Sequence, residues 1–127
     1  MYYITSPIDT ESEAYQLSAR VARKLEKAGI TVYLPQRDTD QQQPPKRIFA
    51  ANIKALSAAD GVIVILSETR GIYLEAGYAK ALGKKLIGLK TGETKPVGNI
   101  VRNFFDYIVD TTDELIVLLE GTAHEEA

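Results

Sequence analysis

The sequence predicts a doubly wound α/β fold, in which one parallel sheet carries helices on both faces. Two observations lead to this prediction. Short apolar segments rich in β-branched residues alternate along the chain with longer segments of helical periodicity. The segment 62–66 is apolar at every position, as is typical of a strand buried on both faces of a parallel sheet. Five such strands most often take the order 2-1-3-4-5, the flavodoxin-like arrangement.

Five strands and five helices account for most of the chain. The predicted strands cover residues 1–5, 30–34, 62–66, 86–89 and 107–109. The predicted helices cover residues 11–27, 45–58, 72–82, 99–104 and 112–119. One domain is expected over residues 1–120, and the tail 121–127 is expected to be disordered.

Capping residues and chain breakers set the predicted helix ends. Asp9 or Thr10 is expected to cap the first helix. Gly71 is expected to break the chain before the fourth helix, which Gly83 ends. The polar segment 35–45 is predicted to be a long loop, and loops of this length are usually functional or mobile.

The composition limits the classes of function that are open. The chain has 127 residues and no cysteine, which excludes disulfides and cysteine nucleophiles and indicates a cytoplasmic location. A formal net charge of −2 gives no reason to expect nucleic acid as a partner. Neither a membrane span nor a signal peptide is expected. No metal or other cofactor is expected either, since no cluster of His, Asp and Glu has metal-ligand spacing.

Glu75 is the candidate functional residue. It is expected in the first turn of the helix after the third strand, near the carboxyl ends of the strands, where ligands bind in this fold. The loops after strands one and three would face each other there across one crevice. Such a carboxylate is either a nucleophile or base, or only a charge that the helix dipole favours by roughly 0.3 kcal/mol. The Walker, dinucleotide-binding and serine-hydrolase motifs are absent from the sequence.

Asp60, Gly61 and the apolar strand at 62–66 are followed by Gly71, an E-x-G-Y-A motif at 75–79 and a Gly-Lys pair at 83–84. In this order and spacing, the chain resembles the nucleoside 2-deoxyribosyltransferases and the related nucleotide N-glycosidases. The resemblance extends from residue 3 to about residue 119, nearly the whole chain.

The resemblance implies a reaction and a set of site residues. Members of the family cleave the N-glycosidic bond of a (deoxy)nucleoside, and the glutamate that matches Glu75 attacks C1′ to form a glycosyl-enzyme. The substrate-binding residues that the resemblance implies are Tyr3, Ser6, Pro7, Asn52, Thr69, Gly71 and Asn99. Asn99 would reach the site of a neighbouring subunit, so a homodimer or a larger homo-oligomer is expected.

Several positions depart from the family's pattern. Thr69 and Arg70 stand where members often carry an aspartate, and Asn52 stands where many carry an aspartate that can move a proton. Asp9 stands where the nucleotide-hydrolysing branch tends to have a phosphate-binding arginine, which argues against a 5′-monophosphate substrate. The cations that could compensate are Arg37, Lys46 and Arg70.

Three functions remain open at this point. The first is transfer of a (deoxy)ribosyl group between nucleobases in nucleoside salvage, with a nucleoside or nucleotide and a free nucleobase as partners. The second is hydrolysis of nucleotides or modified nucleosides. The third is a nucleotide-binding sensor domain without catalysis, which the residues Asn52, Thr69 and Arg70 keep open.

Overall fold

The computed structural model describes residues 1–7, 11–67, 70–92 and 98–126, with the backbone alone for 122–126. The strands are β1 (Tyr2–Thr5), β2 (Val32–Tyr33), β3 (Gly61–Ile65), β4 (Lys85–Leu89) and β5 (Tyr107–Val109). The helices are α1 (Glu13–Lys27), α2 (Pro35–Asp38), α3 (Pro45–Ala58), α4 (Arg70–Ala81), α5 (Asn99–Phe104) and α6 (Thr112–Glu126). All strand pairs are parallel and the order is β2-β1-β3-β4-β5, which confirms the predicted flavodoxin-like sheet.

The whole of β3 is buried because helices cover both faces of the sheet. Side chains of a strand alternate between the two faces. Ile63 and Ile65 therefore pack in one core, against α1 and α6, and Val62 and Val64 pack in the other, against α3 and α4. This two-sided burial explains why the segment 62–66 contains no polar residue.

The sheet reverses its winding direction beside β1, which lies between β2 and β3. In the register of these strands, Tyr3 stands opposite both Tyr33 and Val62, and Thr5 stands opposite Val64. Because all three strands run in the same direction, the segments that follow them meet at one edge of the sheet. This edge is the place where ligands bind in open α/β sheets.

The start of α4 differs from the prediction. The helix already includes Arg70 and Gly71, so Glu75 does not lie in its first turn. Gly71 does not break the chain, because glycine inside a helix costs only about 1 kcal/mol relative to alanine, which the buried side chains of Ile72 and Ala76 offset. The dipole argument for Glu75 is therefore wrong, since that effect fades beyond the first turn. Gly83, with a φ of +73°, follows the helix as predicted.

The second strand is shorter than predicted because its neighbours take over the hydrogen bonds at its ends. The amide of Ile30 donates to the carbonyl of Leu25 at the end of α1 (2.9 Å), and the amide of Leu34 donates to the Asp38 carboxylate (2.8 Å). Asp38 belongs to α2, a short helix inside the segment predicted to be a loop. Pro35 at its first position suits a helix start.

The two terminal helices also differ from the prediction. Ser12 caps α1, with its hydroxyl accepting from the Tyr15 amide at 3.0 Å, whereas the predicted caps Asp9 and Thr10 lie outside the described residues. The backbone of α6 remains helical to Glu126, beyond the predicted helix end at residue 119 and into the tail for which disorder is predicted. The domain boundary at residue 120 stays a prediction. In the described part of the chain, every helix is too short or too polar to cross a membrane.

Two glycines should respond in opposite directions to alanine. A Cβ at Gly61 would lie 2.8 Å from the Tyr2 ring and 3.1 Å from the Lys85 carbonyl oxygen, whereas one at Gly77 would have no neighbour within 4 Å. We expect Gly61→Ala to lower the free energy of unfolding by about 1–3 kcal/mol through overpacking. Gly77→Ala should raise it by up to about 1 kcal/mol through helix propensity. Urea denaturation measures both, and equal effects of the two substitutions would contradict the packing described for β3.

Candidate active site

A cavity of about 310 Å³ opens at the carboxyl ends of β1 and β2, beside the middle of α4. Its lining combines one carboxylate with hydroxyl, amide and apolar side chains. The residues that line it are Thr5, Ser6, Tyr15, Pro35, Gln36, Gln41, Ile48, Asn52 and Glu75. A second depression, of about 390 Å³, lies beside the edge strand β5, but its Lys90 and Asp110 already form an ion pair at 3.3 Å. The cavity at Glu75 therefore holds the chemically usable groups.

Two hydroxyl groups of β1 hold the carboxylate of Glu75. Tyr3 donates its phenolic hydrogen to Oε2 at 2.7 Å, and Thr5 donates its hydroxyl hydrogen to Oε1 at 2.8 Å. Residues two apart on a strand share one face of the sheet, and this is the face on which α4 packs. The strand thus presents both donors to the same helix residue, and each oxygen of Glu75 has a fixed partner.

Tyr3 is fully buried and cannot readily ionise. Burial, followed by the charge and hydrogen bond of Glu75, raises the pKa of the Tyr3 phenol well above its ordinary value. Its ring also stacks on Tyr33, with ring centroids 5.8 Å apart and an interplanar angle of 10°. Tyr3 therefore remains a neutral hydrogen-bond donor at any pH at which the protein would be assayed.

A further hydrogen-bond chain fixes the orientation of Asn52. The Tyr33 hydroxyl contacts the Thr39 hydroxyl at 2.5 Å, and Thr39 donates to Asn52 Oδ1 at 2.7 Å. Since Thr39 has one hydroxyl hydrogen and gives it to Asn52, Tyr33 is the donor in the first contact. Asn52 Nδ2 is then the group that this side chain can offer to a ligand in the cavity.

The buried Ser6 hydroxyl has no hydrogen-bond partner among the described residues. Leaving a buried hydroxyl unpaired costs about 1–3 kcal/mol. Ser6 lies on the cavity wall immediately after Thr5.

The cavity brings together part of the predicted set of site residues. Glu75, Ser6 and Asn52 line it, and Tyr3 lies behind Glu75 as its donor. Pro7 is buried, Gly71 and Asn99 are exposed, and none of these three lines the cavity. Thr69 lies outside the described residues.

Sequence reasoning missed Thr5 and the cavity residues of α2 and the turn after it, Gln36 and Gln41. Thr5 carries one usable signal: it is a polar residue at the end of an apolar strand, two positions after Tyr3 on the same face. The two glutamines stand in a polar segment without periodicity, so no pattern marks them.

Glu75 is the one charged residue among the described residues that line the cavity. Arg37, on the adjacent helix α2, binds Glu26 at 2.7 Å and Asp38 at 2.8 Å. The hydrogen bonds to Asp38 and then to Glu26 raise the pKa of the Arg37 guanidinium, which stays charged and engaged with its two carboxylates. The other two cations considered for a phosphate, Lys46 and Arg70, are exposed and do not line the cavity.

A flavodoxin-like sheet with a cavity beside its switch point defines an α/β protein with a candidate small-molecule site. The sequence profile that describes nucleoside 2-deoxyribosyltransferases matches residues 2–119. The chain belongs to the nucleoside 2-deoxyribosyltransferase family, as the sequence analysis expects. It is thus an enzyme of the nucleoside deoxyribosyltransferase or N-glycosidase type.

Solved structures agree with this assignment. A 2-deoxyribosyltransferase from Bacillus psychrosaccharolyticus superimposes with a TM-score of 0.79 at 17% identity, covering 91% of this chain and 89% of that one. A deoxyribosyltransferase from Leishmania mexicana reaches 0.58 at 28% identity, with coverages of 71% and 63%. The CMP N-glycosidase BcmB of Clostridium botulinum reaches 0.63 at 19% identity, with coverages of 94% and 97%. No curated protein sequence matches the chain significantly.

The Thr5 hydroxyl should matter for the rate rather than for the fold. Thr5→Val keeps the β-branched shape but leaves Glu75 Oε1 without its donor, whereas Thr5→Ser keeps a hydroxyl. A hydrogen bond to a charged group contributes about 1.5–3 kcal/mol, so we expect kcat for nucleobase release to fall roughly 10- to 100-fold in the valine variant. The serine variant should recover most of this loss. Equal kcat values in wild type and Thr5→Val would show that the contact does not serve catalysis.

Proposed function

We propose that this enzyme breaks the N-glycosidic bond of a (2-deoxy)nucleoside and transfers the glycosyl group to another nucleobase, with Glu75 as the nucleophile. The observation that carries the proposal is the carboxylate of Glu75, held at both oxygens by Tyr3 and Thr5 on the wall of a cavity of nucleoside size. Family membership supports the reaction class. Exchange of nucleobases on a sugar is the chemistry of nucleoside salvage.

The reaction proceeds by two displacements at C1′. In the first, an oxygen of Glu75 forms a bond to C1′ while the C1′–N bond breaks, and its electron pair leaves with the nucleobase. In the second, a nitrogen of the incoming nucleobase bonds to C1′, and the C1′–O pair returns to the carboxylate. The incoming base loses a proton and the departing base gains one, so charge balances over the cycle. Tyr3 and Thr5 hold Glu75 in attack geometry and stabilise the carboxylate when it leaves.

Transfer is the favoured outcome over hydrolysis. Hydrolysis of a glycosyl-enzyme needs a base to activate water. Among the described residues that line the cavity, Glu75 is the one carboxylate and no histidine is present. An incoming nucleobase needs less activation, because its ring nitrogen is itself a nucleophile. Hydrolysis is the second candidate function, and ligand binding without catalysis is the third candidate function.

A neutral nucleoside fits the cavity better than a 5′-monophosphate. The described lining contains no lysine or arginine, and its one charge is that of Glu75. Arg37, the nearest candidate in sequence, is bound to Glu26 and Asp38. A phosphate would enter without a cation to pair with, and an unpaired charge is costly to desolvate.

We propose a homo-oligomer, a dimer or larger, in which Asn99 completes the site of a neighbouring subunit. Asn99 is exposed at the start of α5 and does not line the cavity of its own chain. The next residue, Ile100, is 86% exposed, and a large apolar side chain in that position suits a subunit contact.

Glu75→Gln should abolish the reaction in a folded protein. Glutamine keeps the shape and can accept from Tyr3 while its Nε2 donates to the Thr5 hydroxyl oxygen, but it lacks the charge that attacks C1′. We expect kcat to fall at least about 1000-fold, measured as deoxycytidine formed from deoxyadenosine and free cytosine. Glu120→Gln, which changes an exposed carboxylate on α6, is the matched control and should leave the rate unchanged.

The same assay separates the three readings. New deoxycytidine supports transfer, whereas release of adenine without exchange supports hydrolysis. Binding without either product supports the sensor. Near-normal exchange by folded Glu75→Gln would contradict the role given to this residue.

The oligomer can be tested by complementation between two inactive variants. Mixing Glu75→Gln with Asn99→Ala creates sites that combine an intact Glu75 from one subunit with an intact Asn99 from its neighbour. We expect activity to return in the mixed sample after subunit exchange, and light scattering at micromolar concentration to give at least a dimer mass. A monomer mass, or a mixture as inactive as its components, would contradict the shared site.

A further inference from the structure

The cavity wall opposite Glu75 carries two glutamine side chains, Gln36 and Gln41. In the sheet order, β1 lies between β3, which leads to the helix of Glu75, and β2, which leads to the glutamines. Neighbouring strands are about 4.8 Å apart, so the two walls are separated by roughly 10 Å. A molecule whose reacting carbon touches Glu75 extends towards this glutamine wall.

The amide of Gln36 has a fixed orientation. Its Nε2 donates to the Ser18 hydroxyl oxygen at 2.6 Å, and Ser18 donates its single hydroxyl hydrogen to the Tyr15 carbonyl at 2.5 Å. Ser18 can therefore only accept from Gln36, which requires the nitrogen of the amide on that side. The carbonyl oxygen, Oε1, and the second hydrogen of Nε2 are the parts of Gln36 left for the cavity.

The amide of Gln41 is fixed in the same way. Its Nε2 donates to the carbonyl oxygens of Pro35 and Thr39, each at 3.0 Å. Carbonyl oxygens only accept hydrogen bonds, so both hydrogens of the amide are engaged with the backbone. Gln41 thus leaves only its Oε1 for a ligand, and the wall offers two carbonyl acceptors, one from each glutamine.

We propose that the Oε1 atoms of Gln36 and Gln41 select nucleobases that carry an exocyclic amino group, such as adenine and cytosine. An amino group brings hydrogens to both acceptors. A keto oxygen in its place would face them with a third acceptor and leave them unpaired, and sites built to hydrogen-bond a substrate group reject analogues that lack it. The proposal rests on the proposed function, because it takes the cavity to hold a nucleoside with C1′ at Glu75.

Substrate pairs on the wild-type protein test this selection directly. Deoxyadenosine is compared with purine 2′-deoxyriboside, which lacks only the amino group, and deoxycytidine is compared with deoxyuridine. Dissociation constants come from calorimetry and kcat/KM from nucleobase release. We expect the amino compound to be favoured at least about tenfold in each pair. Equal dissociation constants and equal kcat/KM values within each pair, or a preference for the compound without the amino group, would overturn the proposal.

The glutamine variants assign the preference to these residues. Gln36→Met and Gln41→Met keep the length of the side chain and remove the carbonyl, and each should reduce the preference for the amino compound severalfold. Gln42→Met is the matched control, since Gln42 is exposed, does not line the cavity and should leave the preference unchanged. The ratio of kcat/KM for the two compounds of a pair is compared between variants, so that the intrinsic leaving ability of each base cancels. A preference unchanged in both folded variants overturns the assignment, and if either variant fails to fold, the wild-type pairs still decide the proposal.

The proposed reaction and the proposed selectivity for amino-bearing bases can be contradicted independently of each other. Nucleobase release without discrimination would overturn the acceptor pair and leave the proposed reaction standing. Discrimination in binding without any release or exchange would overturn the reaction and support the acceptor pair. Absence of binding by all four nucleosides would overturn both. Binding that follows the sugar hydroxyls and ignores the base would show that the glutamines face the sugar, which also overturns the proposal.

Discussion

The pair of hydrogen bonds from Tyr3 and Thr5 to Glu75 is the interaction on which the site depends. It joins the first strand of the sheet to a helix that follows the third, across a separation of 72 and 70 residues. Each oxygen of the carboxylate accepts from a neutral hydroxyl, and one of the two donors, Tyr3, is fully buried. The two donors therefore fix the position of the carboxylate without pairing it with a charge.

The packing of α4 on the sheet brings Glu75 within hydrogen-bond distance of Tyr3 and Thr5. The helix α4 approaches the sheet closely because Ala76 and Ala79 face the core. The ring of Tyr33 stacks on that of Tyr3. The Tyr33 hydroxyl contacts Thr39, which in turn donates a hydrogen bond to Asn52. Glu75 and Asn52 are thus parts of one hydrogen-bonded and stacked network, which starts from the first two strands.

The fold and the position of Glu75 in the cavity could be predicted from the sequence, because both depend on patterns that the chain carries locally. The apolar run 62–66 predicts a buried strand, and Glu75 follows it within one short connection. The predicted start of α4 is wrong because glycine usually indicates a chain break. Here the buried apolar face of α4 stabilises a helix that includes Gly71. The short helix α2 has too few residues to show a period. Thr5 and the glutamines escaped prediction because their roles depend on which atom of each side chain another residue engages.

Covalent trapping tests the central claim, that Glu75 attacks C1′, most directly. A 2-fluoro-2-deoxy nucleoside would be incubated with the wild-type enzyme, which is then digested with trypsin. Cleavage after Arg70 and Lys80 releases residues 71–80, a peptide in which Glu75 is the only carboxylate side chain. We expect this peptide to gain the mass of the fluorinated sugar. A label on any other peptide, or no label on an enzyme that turns over the natural nucleoside, would contradict it.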